Sequence, residues 1–292
     1  MTASFAAVGD NCIDRYLPPV GDCLVGGNAV NVAVQLARLG RNVTYFGAVG
    51  ADDAGAAVRA ALLANGVATN GLHLMPGEET ARTDIETLPD GDRRFVFESF
   101  GACAGYRPGE QDLHLLRRMS RIHIGWLQGA AGLRRAVAGS GALLSQDLSV
   151  NNAPEHLDPA GLDIAFGSAE PGQGVAESER LLARGARLAV VMMGAAGSLA
   201  NDGTGLVQVD AAAIAVVDTT GAGDAFIAGF LDSQAKGLTL KESLHHGTIM
   251  GGLACGHRGG FPQQPLNQLF TMCAPETKES WTPVEFLVTV AP

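Results

Sequence analysis

A chain of 292 residues with 47% hydrophobic and 17% charged side chains is composed for one large folded unit or two smaller ones, not for a disordered or fibrous protein. Its net charge of −10 argues against nucleic acid and anionic membrane as partners, since both ask for a basic face; any phosphate ligand must be held locally. The five cysteines, Cys12, Cys23, Cys103, Cys255 and Cys273, show no C-x-x-C pair and no metal-ligand spacing, which argues against a disulfide framework or structural zinc and suits a cytoplasmic address.

Ser4 to Val8 lacks a basic leader and runs into Gly9-Asp10 as a first buried strand and its turn would, and no run approaches the ~20 apolar residues of a membrane span. From there, strands are expected near Phe5–Val8, Val43–Val49, Arg121–Trp126, Ala142–Leu148, Leu162–Phe166 and Leu188–Met193. Helices are expected between them near Asn28–Leu39, Asp53–Asn65, Gly109–Met119, Ala130–Ala138 and Val175–Arg184, with a last one, opened by the capping box Thr239-Leu240-Lys241-Glu242, near Leu240–Leu253. This alternation predicts a Rossmann-like α/β fold, a mostly parallel sheet with helices on both faces. Thr80 to Phe100 breaks the pattern. Thr83, Ile85 and Thr87 alternate before Pro89-Asp90-Gly91-Asp92, and Phe95 and Phe97 follow, which reads as a hairpin. With strands from Cys12 to Val25 it would make a small β lid, or a plain surface hairpin.

Two segments carry chemistry. Near the amino end, Gly26-Gly27-Asn28-Ala29-Val30-Asn31 enters a helix, with Asn28 and Asn31 on one face of its first turn; Asn28 alone reads as a cap, whereas Asn31 lies too far in to cap and is the better ligand. Late in the chain, Val217-Asp218-Thr219-Thr220-Gly221-Ala222-Gly223-Asp224 joins a short expected strand at Ile214–Val217 to a helix at Ala222–Ala235. The glycines let backbone N–H groups approach an anion at a helix N-terminus, and Asp224 stands where it can take a proton from a hydroxyl attacking that anion. Between them, Gly194-Ala195-Ala196-Gly197 is either a nucleotide-cradling turn or a hairpin connector into Ser198–Ala200. No G-x-x-x-x-G-K-[ST] occurs, which excludes a P-loop.

In this order and spacing, the Gly26-Gly27 motif with Asn31 and the Asp218-Thr219-Thr220-Gly221-Ala222-Gly223-Asp224 motif resemble the ribokinase-like (PfkB) carbohydrate kinases over roughly Ala6 to Pro262. The blocks Gly9 to Tyr16 and Gly26 to Val34 look most like its fructosamine branch, the fructoselysine 6-kinases. The resemblance implies a ribokinase-like domain formed by residues 1–11, 26–79 and 101–273, a β lid from 12–25 and 80–100, and an extension at 274–292 outside the family pattern, an added strand or a homodimer contact. It implies ATP and Mg2+ as cofactors and a sugar as substrate. Asp224 becomes the base, with the amides of Gly221, Ala222 and Gly223 as the anion hole. Asp14, Gly27, Asn28 and Asn31 fall on the sugar side, and Thr219, Gly194, Gly197 and Gly260 on the nucleotide side.

The family's Asn-x-x-Glu element, which organises magnesium, is replaced by Ser168-Ala169-Glu170-Pro171-Gly172, leaving Glu170 as the one candidate for an indirect metal role. The expected reaction is phosphorylation of a primary hydroxyl, foremost the 6-hydroxyl of a fructose–amino-acid adduct, with Arg15, Arg94 and Glu98 as candidates to meet the adduct's charges. A fructokinase or ribokinase acting on a free sugar, and a catalytically silent sugar-binding protein, remain the alternatives.

Overall fold

The strand β1 (Ser4–Val8), apolar after its first residue, leads into two short strands, β2 (Cys12–Tyr16) and β3 (Cys23–Gly26), and then into α1 (Asn28–Arg38) and β4 (Asn42–Gly50). After α2 (Asp53–Ala64) come β5 (Ala68–Met75) and the hairpin strands β6 (Arg82–Thr87) and β7 (Arg93–Ser99). Then α3 (Gly101–Gly105), α4 (Glu110–Leu116), β8 (Arg121–Ile124), α5 (Ala130–Val137), β9 (Leu143–Asp147), β10 (Ile164–Ser168) and α6 (Gly174–Ala183) alternate. The last elements are β11 (Leu188–Met192), β12 (Ser198–Asn201), β13 (Leu206–Val209), α7 (Ala222–Ala235) and α8 (Leu240–Ala254). This computed structural model describes residues 3–88, 93–150, 157–211 and 213–266; the Pro89–Asp92 turn and the extension at 274–292, with the roles expected for it, lie outside them.

The main sheet has nine strands in the order β13-β12-β11-β10-β9-β8-β1-β4-β5, parallel from β11 to β5 and closed at the other edge by the antiparallel β12 and β13. Two cores cover its two faces. Phe5 and Ala7 of β1 pack with α1, α2, α7 and α8 residues such as Leu36, Leu62 and Phe230, whereas Ala6 and Val8 pack with Leu116, Leu133 and Leu181 from α4, α5 and α6. Burial on both sides is why these strands read as continuous apolar runs rather than alternating ones. A second sheet, β3-β2-β6-β7, stands apart from the first. Among the described residues no helix is long and apolar enough to cross a membrane. Cys12, Cys103 and Cys255 are free and buried, and Cys23 is disulfide-bonded, a cross-link the cysteine spacing gave no sign of.

One expected element is absent. Ile214 to Val217 forms no strand; Val217 N–H and Asp218 N–H both donate to the Cys255 carbonyl at the end of α8, at 2.8 and 3.3 Å, so the segment is tied to a helix end rather than to the sheet. Its apolar side chains stay outside: Ile214, Val216 and Val217 are exposed beside Ile249 and Leu253 of α8. The capping box at Thr239 forms as expected, with Thr239 Oγ1 accepting from Glu242 N–H.

Candidate active site

The carboxyl ends of β1, β8, β9 and β11 open towards the amino ends of α1 and α7, the place where open α/β sheets hold ligands. Asp224, in the first turn of α7, is gripped there by α1: Asn28 Nδ2 donates to Asp224 Oδ1 at 2.6 Å and Asn31 Nδ2 to Asp224 Oδ2 at 2.7 Å. The two motifs that stand far apart in the chain thus meet through three side chains. Close approach is needed for this, and glycines allow it. A Cβ on Gly260 would lie 2.2 Å from Asn31 Oδ1, and one on Gly221, whose φ of 76° suits glycine, would lie 2.3 Å from Gly260 Cα.

Asn28 is therefore not a cap. Gly27, at φ 103°, is the N-cap of α1 and offers no side chain, and the carboxylate of Asp10 takes over the helix end, its Oδ2 accepting from Asn28 N–H at 2.9 Å and its Oδ1 from Ala29 N–H at 3.1 Å. With the amides satisfied from outside, the Asn28 side chain is free to turn inward, where its Nδ2 also donates to Asp147 Oδ2 at 2.9 Å. Asp147 ends β9, and its Oδ1 accepts from Ser149 N–H at 2.9 Å and Ser149 Oγ at 2.6 Å.

So many carboxylates in one buried place shift their ionisation. Burial pushes Asp224 up to about 8, and the charges of Asp147 and Asp10 add to it against the pull of the Asn31 and Asn28 amides. Asp10 and Asp147 are themselves raised, chiefly by burial. The Oδ1 atoms of Asn28 and Asn31 are buried without a hydrogen-bond partner among the described residues, packed against the backbone of Gly125 and Gly260.

Asp14 lies on β2 in the small sheet, not in a loop, and Gly26 makes room for it, since a Cβ there would sit 2.0 Å from Asp14 Oδ2. Burial raises Asp14 to about 6; Cys12, which donates to its Oδ1, opposes the rise and Asp218 adds to it. Strand register sorts the neighbours. Asp14 pairs with Thr83 and Thr83 with Glu98, so these three share one face, and Tyr16, two along from Asp14, reaches from that same face to the main domain. Glu98 is raised by burial and by Asp10, which places its carboxylate within range of the cleft.

Arg15 and Arg94, expected to meet the ligand with it, lie on the opposite face. Arg15 makes a two-pronged bond to Asp84, 2.9 and 2.5 Å, and Arg94 pairs with Glu86. Phe95 and Phe97, expected together, also part company: a bulge between them pairs Phe95 with Ile85 and Phe97 with Asp84, turning Phe97 outward.

The loop before α7 is fastened to the small sheet. Tyr16 OH donates to Asp218 Oδ2 at 2.5 Å and Arg93 donates to Thr219 Oγ1, while from the loop after α8 Arg258 pairs with Asp22 at 2.5 Å. Burial works to raise Asp218, but bonds from Gly259 N–H, Tyr16 and Thr220 outweigh it and hold this carboxyl below its usual range. At the amino end of α7, Ala222 N–H donates to Thr219 O at 3.2 Å, and helix geometry leaves the other first-turn amides without a partner four residues back.

Gly194 to Ala196 form a 3-10 turn between β11 and β12, so this segment is a hairpin connector; Gly197, at φ 88°, is required because a Cβ would strike Val209 O at 2.1 Å. The turn nonetheless lies on the α7 side, since Met192 at its start is within 3.7 Å of where a Gly223 Cβ would stand. Glu170 is exposed in the turn after β10, and among the described residues no three His, Cys, Asp or Glu side chains form a metal cluster. The described side chains make no cage of their own for magnesium, and an ion carried on phosphates, the arrangement it commonly takes with nucleotides, needs none. Asp10, Asp147, Tyr16 and Arg93 were not singled out from sequence. Asp10 and Asp147 sit at strand carboxyl ends, a signal that was available; Tyr16 and Arg93 carried none.

A raised carboxylate beside a helix N-terminus, at the carboxyl edge of a parallel sheet, is the arrangement that activation of a hydroxyl next to an anion calls for. The comparisons agree with that class. Residues 20–115 and 151–265 match the model of the pfkB family carbohydrate kinases, and the chain belongs to that family. The fructoselysine 6-kinase of Shigella flexneri is 34% identical over 264 residues, spanning 88% of this chain and 99% of the relative. An Arabidopsis thaliana ribokinase solved with ribose and ATP superposes with a TM-score of 0.80 at 22% identity, covering 89% of this chain and 94% of that one. An Escherichia coli putative ribokinase II solved with ATP and Mg2+ gives a TM-score of 0.76 at 22% identity over 89% and 94%. The fold is ribokinase-like and the protein is a carbohydrate kinase.

Proposed function

We propose that the enzyme transfers the γ-phosphoryl of ATP to the 6-hydroxyl of a fructosamine such as fructoselysine, with Asp224 taking the hydroxyl proton. The observation that carries this reading is the Asn28–Asp224–Asn31 arrangement at the amino end of α7, which puts a base of raised pKa against a run of helix-start amides. The sugar hydroxyl lies against Asp224, and Asp14 accepts from a further hydroxyl of the sugar. The amides of Gly221 and Gly223, and that of Ala222 once it exchanges its bond to Thr219 O, serve the transferring phosphoryl, where N–H groups and the helix dipole stabilise the charge that develops. Magnesium, bound to the phosphates, supplies neutralisation of their charge.

The base must give up its proton before it can accept one. With Asp224 near 8 the free enzyme is mostly protonated there at neutral pH, and a cationic substrate lowers that value by attraction. This favours an aminated sugar over a neutral one. The carboxylates Asp10, Asp14, Glu98 and Asp224 make this side of the cleft acidic, with Arg93 as a cation near Asp14, and Glu98, on the same face as Asp14, is the candidate to meet the substituent's ammonium group. On the nucleotide side, the exposed apolar side chains of Ile214, Val216, Val217, Ile249 and Leu253 offer a surface for a purine beside Thr219, Gly194 and the Gly221–Gly260 contact. The small sheet acts as a lid, and a cytoplasmic address suits an ATP-consuming enzyme.

ADP release measured with fructoselysine, fructose and ribose tests the reading. Fructoselysine is expected to exceed fructose by about 10-fold or more in kcat/KM, the worth of one useful ionic contact, and Glu98→Gln to erase most of that preference. Equal activity on free fructose would move the enzyme to the free-sugar kinases. No ADP release with any sugar would favour the silent sugar-binding reading.

A further inference from the structure

Asp147 stands one side chain behind Asp224 and does not face the cleft: it is 1% exposed, and between the two carboxylates lies the Asn28 amide nitrogen. That nitrogen has two hydrogens, and each has an acceptor. One goes to Asp147 Oδ2 at 2.9 Å, the other to Asp224 Oδ1 at 2.6 Å. We propose that Asp147 is a positioning residue which works through Asn28, holding the amide so that its second hydrogen reaches Asp224, and whose negative charge governs the ionisation of the base. The proposal rests on the reading of Asp224 as that base.

Orientation comes first. An asparagine amide can present either its oxygen or its nitrogen, and the choice is made by what surrounds it. With Asp147 and Asp224 ionised, the flipped amide would aim its oxygen at two carboxylates, so only the donating orientation is tolerable in the state in which the base acts. Asp147 is itself fixed by Ser149, through both N–H and Oγ, and so cannot turn away to relieve the crowding. Gly125 completes the fit, because a Cβ there would lie 2.4 Å from Asn28 Oδ1.

Charge is the second effect. The groups that face Asp224 are Asn28 and Asn31 from α1, Asp10 from the turn after β1 and Asp147 from β9. Beyond these, Asp14 on β2 faces Asp10 and Asp218, with Arg93 as the cation of that side. Of the two carboxylates that raise Asp224, Asp147 has the larger effect. The sign follows directly. A neighbouring negative charge disfavours ionisation of Asp224, the base works only when ionised, and so activity rises with pH through the pKa of Asp224. Taking away the charge of Asp147 moves that rise to lower pH.

The test is the pH profile of kcat/KM, from ADP release with whichever of fructoselysine, fructose and ribose turns over best. The wild type is expected to rise with an apparent pKa near 8. Asp147→Asn keeps an oxygen for Asn28 but loses the charge, and its profile is expected to rise about one pH unit or more lower, whatever its plateau. Asp147→Ala loses both, and its plateau is expected to fall about 10-fold or more below that of Asp147→Asn. Melting curves establish that each variant is folded; if Asp147→Asn is not, Ser149→Ala, which weakens the hold on the Asp147 charge, is expected to shift the profile in the same direction by less. Superimposable profiles for the wild type and folded Asp147→Asn overturn the proposal. If Asp224→Asn remains active, the base assignment itself fails; if it is inactive and the Asp147→Asn profile is unmoved, only the present inference does.

Discussion

Replacing Tyr16 by Phe removes one oxygen from the contact that fastens the small sheet to the loop before α7. The ring stays, with its 2% exposure and the Arg258 guanidinium 5.8 Å above it, so the change isolates the hydroxyl. That hydroxyl donates to Asp218 Oδ2 at 2.5 Å, a bond to a charged acceptor in a buried setting, and such bonds contribute about 1.5–3 kcal/mol. Without it Asp218 Oδ2 keeps the Gly259 N–H at 2.9 Å, and Oδ1 keeps Thr220, so the carboxylate is weakened rather than stranded. At about 2–4 °C per kcal/mol, the scale for chains somewhat shorter than this one, the expected fall in Tm is at most roughly 3–12 °C.

The pH dependence gives a second, independent reading of the same bond. Asp218 has a depressed pKa in the folded protein, so its contribution is present above the unfolded carboxylate pKa and is lost as pH falls through the folded one. In Tyr16→Phe the depression shrinks, and the difference in Tm between wild type and variant should be largest at neutral pH and close as the pH is lowered towards the acid range. Thermal unfolding followed by circular dichroism at a series of pH values measures both. A Tm within 1 °C of wild type at neutral pH, with parallel pH curves, would show that the hydroxyl does not hold Asp218 and that the two sheets are joined by other means.

Asp224→Asn is expected to reduce kcat about 10²-fold or more while leaving ATP affinity, measured by calorimetry, near that of the wild type, because an amide keeps the shape but cannot take a proton. Gly260→Ala would place a Cβ 2.2 Å from Asn31 Oδ1 and push that amide off Asp224; an overpacking cost of about 1–3 kcal/mol and a raised sugar KM are expected, and unchanged values of both would mean that the backbone yields freely there.

The order of strands and helices was legible because each strand of the parallel sheet is buried on both faces and each helix on one, and those two demands write themselves into hydropathy. The motifs at Gly26–Asn31 and Asp218–Asp224 were legible for another reason: a helix N-terminus that receives an anion needs glycine and a nearby carboxylate wherever it occurs. Where local pattern failed, a contact from far along the chain had overruled it. Ile214–Val217 has the composition of a strand, but its backbone is claimed by the carbonyl of Cys255. Asn28 has the position of a cap, but Asp10 caps the helix from 18 residues away and frees the asparagine for Asp224. Arg15, Arg94 and Glu98 look alike in sequence, and only strand pairing, which assigns alternate residues to opposite faces, turns two of them outward and leaves Glu98 beside Asp14. What the sequence by itself determined was the class of fold and the identity of the groups proposed to meet an anion and a hydroxyl, since these follow from periodicity and local backbone chemistry. What the tertiary structure alone decided was the company those groups keep, Asp10 and Asp147 behind the base and Tyr16 and Arg93 across the cleft, since a carboxylate's ionisation is set by neighbours in space and the chain gives no local sign of who they will be.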